Sequence, residues 1–314
     1  MIPHSTSQGL LVKRLVRVSR KLLAVILALA VGALAVGALA SGCGSSEQPK
    51  ELKLGNIGWD ENEAVSNLTK VLLEDELGYE KVELRTLDVG PLYEGVGNGD
   101  LDAFQDVWLP AHRDYVAGVE ENTELLGSWF QGTTKFGIAV PSYMNITSLE
   151  ELNDTNVDLI LGIEPGAVSM TKIPTDVIPA YGLEQGLVEA PTEGMLSEVD
   201  RLYSAREEFA FIAWSPHWMN ERYDLRYLED PKDAFEEVDD TVDLSTIVNV
   251  DLKEDDPVAY AFMAALTLDE EQINAMEDEI NAASDPQRGV RSWLENNRSD
   301  VEPWLEAARN AQES

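Results

Sequence analysis

The sequence contains a single cysteine, Cys43, and only three histidines, His4, His112 and His217. A disulfide within the chain is therefore excluded, and a structural zinc site is close to excluded by the same counts. Basic residues are also scarce, because 23 Lys and Arg stand against 58 Asp and Glu, a formal net charge of −35. Binding to nucleic acid requires a cationic face, so we expect no nucleic acid partner.

The acidic excess fits two interpretations that the sequence leaves open. Self-repulsion of a large net charge destabilises a compact fold, and salt screens that repulsion over about 8–10 Å, which suits a protein of salty, halophilic surroundings. The second interpretation is that the acidic surface serves only to keep the protein soluble. The length of 314 residues and the hydrophobic content of 44% are those of an ordinary globular chain with one large or two medium domains.

The first 42 residues have the pattern of a secretory signal. A basic stretch at 13–21 precedes an apolar run at 22–40, and small residues lead into Cys43. This pattern resembles a bacterial lipobox, which implies removal of residues 1–42, lipid attachment at Cys43 and a linker at 43–50. The alternative is an uncleaved transmembrane anchor, since the apolar run is just long enough to span a bilayer. Both interpretations tether the chain to the outer face of the cytoplasmic membrane.

From Leu52 onward, short apolar runs alternate with helical periodicity. Strands are predicted at 52–57, 81–87, 103–107, 136–140, 157–163 and 208–214, with helices at 63–77, 91–97, 148–152, 257–266, 269–283 and 286–308. This alternation favours an α/β fold with mainly parallel sheets.

The alternation runs through two cycles and ends in a helical return, which predicts a two-lobed clamshell. We expect lobe I at 51–138 plus 248–314 and lobe II at 139–247, with hinge crossings near 137–141 and 246–251.

Three sequence tracts place a tryptophan just after an apolar strand, where α/β sheets present their ligand-binding loops. They are Gly-Trp-Asp-Glu-Asn with Trp59, Asp-Val-Trp-Leu-Pro-Ala-His with Trp108, and Trp-Ser-Pro-His-Trp beginning at Trp214. A fourth tract, Gly-Ile-Glu-Pro-Gly beginning at Gly162, puts backbone N–H groups at a strand-to-helix turn. Such a turn favours an anionic group.

Together these tracts resemble the glycine betaine-binding proteins of ABC transporters, a family of type II periplasmic-binding-protein fold. The resemblance extends from Leu52 over essentially the rest of the chain and includes the stretch 214–232. It implies capture of glycine betaine or a related quaternary-ammonium carboxylate for osmoprotection. The implied partners are the permease and ATPase subunits of an importer, and no cofactor or metal is implied.

The resemblance implies that Trp59, Trp108 and Trp214 form an aromatic box around the trimethylammonium head. A quaternary ammonium has no N–H to donate, whereas aromatic faces attract it through their quadrupole. Each face contributes about 0.5–1 kcal/mol when exposed and about 2 kcal/mol or more when desolvated. The predicted box is therefore matched to this kind of cation.

For the carboxylate end of the ligand, the resemblance implies the backbone N–H groups of Gly162 and Ile163 together with the side chain of His112. These donors bind an anion without burying a full opposing charge. The predicted site residues are divided between the two lobes. We therefore expect the ligand to favour the hinge-closed state.

The remaining aromatic and acidic residues are assigned no role in binding. Packing or surface roles are expected for Trp129, Trp218, Trp293 and Trp304, and a structural role for His217. The pairs Asp60–Glu61 and Asp239–Asp240 are expected to be solvated loop charges.

An enzyme is the main alternative class of protein. The sequence has no nucleophile elbow, no phosphate-cradling glycine loop and no His pair at metal-binding spacing. We therefore expect binding without turnover. A choline or carnitine receptor is the alternative within the binding class.

Overall fold

Two five-stranded sheets organise residues 50–235 and 243–313, which are the residues that the structure, a computed structural model, describes. The strands are β1 (Glu51–Asn56), β2 (Lys81–Thr86), β3 (Ala103–Leu109), β4 (Thr123–Ser128), β5 (Lys135–Pro141), β6 (Leu159–Leu161), β7 (Gly186–Val188), β8 (Ala210–Ser215), β9 (Leu225–Tyr227) and β10 (Asp243–Asn249). The predicted leader, Cys43 and the pair Asp239–Asp240 lie outside the described residues.

The first sheet has the order β2-β1-β3-β10-β4, and the second has the order β7-β6-β8-β5-β9. In the first sheet, β1 is parallel to β2 and β3, while β10 is antiparallel to β3 and β4. In the second sheet, β6 is parallel to β7 and β8, and β5 is antiparallel to β8 and β9. The two sheets define two lobes, and this confirms the predicted two-lobed α/β architecture.

The helices are α1 (Asp60–Glu76), α2 (Val89–Gly97), α3 (Arg113–Val119), α4 (Val168–Lys172), α5 (Ile178–Tyr181), α6 (Thr192–Ala205), α7 (Met219–Arg222), α8 (Leu252–Asp255), α9 (Pro257–Ala265), α10 (Glu270–Ala282) and α11 (Pro286–Gln312). Short 3-10 helices cover Glu120–Asn122 and Leu149–Asp154, and a π-helical turn at Ile173–Val177 joins α4 to α5. Helix α11 packs against α9, α10 and α1, so the C-terminal helices return to the first lobe.

Helix α1 shows why the sequence pattern succeeds. Its predicted apolar positions, Ala64, Leu68, Val71 and Leu72, are all 0–1% exposed. The helix ends before Gly78, whose φ of +75° is a left-handed conformation that glycine adopts without strain. The buried apolar face and the glycine after the C-terminus therefore determine where this helix forms and where it ends. No helix of the described residues is both long and apolar enough to cross a bilayer.

The predicted lobe boundaries, 138/139 and 247/248, are wrong by several residues. Strand β5 already lies in the second sheet from Lys135, and β10 lies in the first sheet from Asp243. The proposed hinge at 137–141 therefore falls within the paired strand β5, and the one at 246–251 begins within the paired strand β10. The apolar run of β5 includes Ile138, Ala139 and Val140, each 0% exposed, and this burial makes it an interior strand of the second sheet. The first lobe thus holds β1–β4, β10, α1–α3 and α8–α11, and the second holds β5–β9 and α4–α7.

Candidate ligand-binding site

One cavity is lined by residues of both lobes. Trp59 and Trp108 come from the first lobe, and Trp214 comes from the second. The three side chains are 5%, 6% and 3% exposed, so their rings are almost fully removed from water. The structure therefore brings the three predicted box residues to one cavity.

Local structure explains how each tryptophan reaches the cavity. Gly58, with φ +87°, turns the chain from β1 into α1 and places Trp59 immediately before the helix. Trp108 and Trp214 lie near the ends of β3 and β8, two central strands that are buried along almost their whole length. Central strands present their C-terminal ends to the ligand crevice of an α/β sheet.

Each of the three indole N–H groups is already bonded to a carboxyl group. Trp108 Nε1 donates to Asp106 Oδ1 at 2.9 Å, within the first lobe. Trp59 Nε1 donates to Glu164 Oε2 and Trp214 Nε1 donates to Glu61 Oε2, both at 3.0 Å and both from one lobe to the other. The polar edge of each ring is therefore occupied. What the rings can offer a ligand is their π face.

His112 lines the same cavity and is 2% exposed. Its Nδ1 accepts the backbone N–H of Trp108 at 3.2 Å and lies 2.8 Å from the Tyr93 hydroxyl. Because Nδ1 is an acceptor, the ring proton resides on Nε2. Burial lowers the pKa of His112 to about 3, so the ring is neutral at physiological pH. His112 can therefore act as an uncharged hydrogen-bond donor through Nε2.

The prediction for Gly162 requires a correction. Its N–H donates to the carbonyl of Val188 at 2.8 Å, and Gly162 is not among the residues that line the cavity. A Cβ at this position would lie 2.7 Å from both Met170 Sδ and the Val188 carbonyl oxygen. The glycine therefore serves close packing beside β7, and its amide is already used.

Ile163 does line the cavity, and its N–H donates to Met170 Sδ at 3.4 Å. Thioether sulfur is a weak acceptor, so a better acceptor can take this amide. Ser169 also lines the cavity, is 2% exposed, and its Oγ has no partner among the described residues. Sequence reasoning missed Ser169 because nothing in the pattern distinguishes this hydroxyl from any other in a short helix.

Glu61 is the second residue that the sequence interpretation missed, and its assignment to a solvated loop is wrong. It lies in the first turn of α1, lines the cavity and is 0% exposed. Burial raises the pKa of Glu61 well above its ordinary value, and the nearby carboxyl groups of Asp106 and Glu277 raise it further. The helical spacing 61, 65, 68 and 72 shares one face with buried apolar residues, and this spacing was the available signal.

Asp60, the other member of that pair, is also bonded across the lobes. Its carboxylate accepts the indole N–H of Trp218 at 2.7 Å and lies 3.1 Å from His217 Nε2. Burial alone would raise the pKa of Asp60, but His217 and the Trp218 N–H outweigh burial and lower it. His217 and Trp218 therefore connect the lobes beside the cavity. No group of three or more His, Cys, Asp or Glu side chains suited to a metal ion occurs in the described part of the chain.

Comparison with known families gives one match that covers most of the chain. A model of the substrate-binding domain of ABC-type glycine betaine transport systems matches residues 50–296. The matched span includes the three tryptophans that line the cavity, His112 and the tract that begins at Gly162.

Individual relatives agree with the family match. The glycine betaine/carnitine transport binding protein of Listeria monocytogenes is 29% identical over 160 residues, which are 50% of this chain and 51% of that protein. The aligned region thus spans about half the length of that relative.

Two solved structures share the fold. Lactococcal OpuAC, in a closed conformation complexed with glycine betaine, has a TM-score of 0.74 and 28% identity, covering 82% of this chain and 99% of that one. A glycine/betaine/L-proline-binding protein from Borrelia burgdorferi has a TM-score of 0.74 and 26% identity, covering 83% and 100%. These similarities confirm the resemblance predicted from the four sequence tracts.

Proposed function

Since this chain belongs to the family of substrate-binding domains of ABC-type glycine betaine transport systems, we propose that it captures glycine betaine or a closely related zwitterion. It then presents the ligand to the permease and ATPase subunits of an importer, which serves osmoprotection. The chain binds its ligand reversibly and without turnover. The glycine betaine/carnitine transport binding protein of Listeria monocytogenes and lactococcal OpuAC complexed with glycine betaine support this ligand class.

The observation that carries the proposal is the convergence of Trp59, Trp108 and Trp214 on one cavity between the lobes. A quaternary ammonium that enters such a cavity loses water it cannot replace by hydrogen bonds. Three nearly buried π faces compensate at about 2 kcal/mol each, which amounts to several kcal/mol of attraction. The lining is mainly aromatic and apolar, with few polar side chains, as expected of a site for a small ligand whose cationic end cannot donate hydrogen bonds.

The carboxylate end of the ligand is assigned to three donors that line the cavity. They are the Nε2–H of neutral His112, the hydroxyl of Ser169 and the N–H of Ile163. Ser169 takes the place that the sequence assigned to Gly162. None of these donors carries a full charge, so binding a carboxylate here does not require burial of an ion pair.

Choline and carnitine are the alternative ligands. Choline carries the same trimethylammonium group but has no carboxylate, so it would leave His112 and Ser169 without an acceptor. Unsatisfied buried donors cost about 1–3 kcal/mol each. We therefore expect glycine betaine to bind this site most tightly and choline least tightly. Carnitine and proline betaine should have intermediate affinities.

The place of action follows from the leader. We propose that residues 1–42 are removed and that Cys43 carries a lipid that holds the protein on the outer face of the cytoplasmic membrane. Mass spectrometry of the parent should find a chain that begins at a lipid-modified Cys43. An uncleaved transmembrane anchor would instead give the unmodified mass of the full sequence.

Isothermal titration calorimetry tests the ligand assignment. The protein, purified in detergent as it is isolated from the membrane, is titrated with glycine betaine, proline betaine, carnitine and choline. Tight one-to-one binding of glycine betaine, with choline the weakest, is expected. Absence of binding by all four compounds would contradict the proposed function, and consumption of any of them would contradict binding without turnover.

A further inference from the structure

We propose that Glu61 and Glu164 form a reciprocal latch that closes the two lobes over the ligand. The proposal rests on the proposed betaine site, because the hydrogen-bond donors of the latch are two of the box tryptophans. Each lobe contributes one tryptophan and one glutamate, and each glutamate receives the indole N–H of the opposite lobe's tryptophan.

The geometry of the two bonds is nearly the same. Trp59 of the first lobe donates to Glu164 Oε2 of the second at 3.0 Å. Trp214 of the second lobe donates to Glu61 Oε2 of the first at 3.0 Å. Both bonds must break when the lobes separate, whereas the bond of Trp108 to Asp106 lies within one lobe and survives separation.

Glu164 is fixed in position by its own lobe. Its Oε1 accepts the backbone N–H of Thr192 at 2.7 Å, and its Oε2 accepts the Thr192 hydroxyl at 2.9 Å. These bonds orient the carboxylate at the start of α6 independently of the first lobe. Glu164 is therefore a prepared acceptor, and little side-chain entropy is lost when Trp59 reaches it.

Glu61 is held differently. Its position in the first turn of α1 is rigid, but its second carboxyl oxygen, Oε1, has no partner among the described residues. The Trp214 indole is thus the side-chain donor that this fully buried carboxyl receives when the lobes meet. A buried acceptor that loses its donor is unfavourable unless water returns, so breaking this bond requires the cleft to open.

The latch couples closure to assembly of the box. The same hydrogen bonds that join the lobes also fix the orientation of two of the three rings that face the ligand. Ligand can enter while the lobes are apart, but it meets the complete set of π faces only after closure. The latch should therefore act mainly on the dissociation rate, since encounter takes place before the bonds form.

The test measures closure and ligand release in two latch variants, Glu61→Met and Glu164→Met, which remove the acceptor at similar side-chain length. Spin labels are placed on cysteines introduced at Leu87 and Leu159, which are 39% and 50% exposed and lie on different lobes. The full chain carries Cys43→Ser so that only these two positions are labelled. Pulsed dipolar spectroscopy without ligand then gives the distribution of interlobe distances.

Both variants are expected to shift this distribution to longer distances than the parent. Stopped-flow tryptophan fluorescence should show glycine betaine dissociating about 5- to 10-fold faster from each variant, as expected for the loss of one hydrogen bond, with association nearly unchanged. Trp214→Phe removes the donor of the Glu61 bond and should reproduce the distance shift of Glu61→Met, which guards against poor folding of that glutamate variant.

The matched control is Trp108→Phe, which removes the donor of the indole–carboxyl bond that lies within one lobe and leaves the Asp106 carboxyl beside Glu61 in place. It should keep the parent distance distribution even where it weakens binding through Trp108. Parent-like distances in both glutamate variants would overturn the latch. Failure of the parent to bind any quaternary ammonium would instead refute the proposed function, and the ligand-free distances would still decide the latch.

Discussion

Replacing Trp108→Leu should weaken glycine betaine binding strongly while leaving a folded protein. The substitution removes one π face from the cavity and retains much of the apolar volume. Trp108 is 6% exposed, so its contribution falls in the desolvated range of about 2 kcal/mol or more. This loss corresponds to an affinity lower by about 30-fold.

The same number sets the expected effect on thermal stability. At a ligand concentration of about 100 times the dissociation constant, binding stabilises the parent by about 2.7 kcal/mol. A 30-fold weaker variant at that concentration would be stabilised by only about 0.9 kcal/mol. Calorimetry and the ligand-dependent shift in melting temperature therefore measure the loss of affinity in Trp108→Leu independently.

Trp304→Leu is the control for this experiment. Trp304 is 3% exposed in α11, packs edge-on against Phe262 and does not line the cavity. Trp304→Leu should lose about as much stability as Trp108→Leu but should bind glycine betaine with the parent's affinity. Equal affinities of Trp108→Leu and the parent would refute the assignment of Trp108 to the cation, and a matching affinity loss in Trp304→Leu would show that lost stability alone explains the effect.

Substitutions at Ser169, Gly162, Glu61 and His112 test the remaining contacts in and around the cavity. Ser169→Ala should weaken glycine betaine binding about 5- to 10-fold and leave choline binding unchanged in calorimetry, because only betaine offers a carboxylate to the hydroxyl; an equal loss for both ligands would contradict this role. Gly162→Ala should lower the free energy of unfolding by about 1–3 kcal/mol in denaturant titration, since the added Cβ meets Met170 and Val188; unchanged stability would contradict the close packing. Burial raises the pKa of Glu61, so the stability that this carboxyl contributes is present at low pH and is lost as the pH rises above the ordinary pKa of 4.5. The melting temperature of Glu61→Gln should therefore fall less between pH 5 and 8 than that of the parent. His112 should have the opposite pH dependence. Its pKa is lowered to about 3, so the stability that it contributes is complete above about pH 6.5 and is lost as the pH falls toward 3. The melting temperature of His112→Gln should therefore fall less on acidification than that of the parent.

The sequence predicted the elements whose signals are local. Ser148 begins a short helix with a capping box that includes Glu151, as its spacing indicated. Asp269 caps α10 with Gln272 in the same way. The strands that precede the three box tryptophans were found from apolar runs, and their order along the chain sufficed to predict two lobes.

What the sequence could not supply depends on contacts between distant residues. Glu61 looks like a surface charge until α1 is packed beneath the second lobe, where Trp214 meets it. The amide of Gly162 looks free until β6 is paired with β7, because its acceptor, Val188, lies 26 residues further along the chain. The lobe boundaries were misplaced for a similar reason. The run at 136–140 has the composition of a strand, but only the pairing of β5 with β8 and β9 assigns it to the second sheet.

The central claim is that indole faces recognise a positive charge, and one pair of ligands tests it directly. 3,3-Dimethylbutanoate has the carboxylate and nearly the shape of glycine betaine, but a neutral carbon replaces the quaternary nitrogen. If three desolvated faces act on the charge, calorimetry should show the neutral isostere binding more weakly by about 100-fold or more. Affinities that agree within about threefold would mean that shape and apolar contact alone select the ligand, and the cation–π account would be wrong.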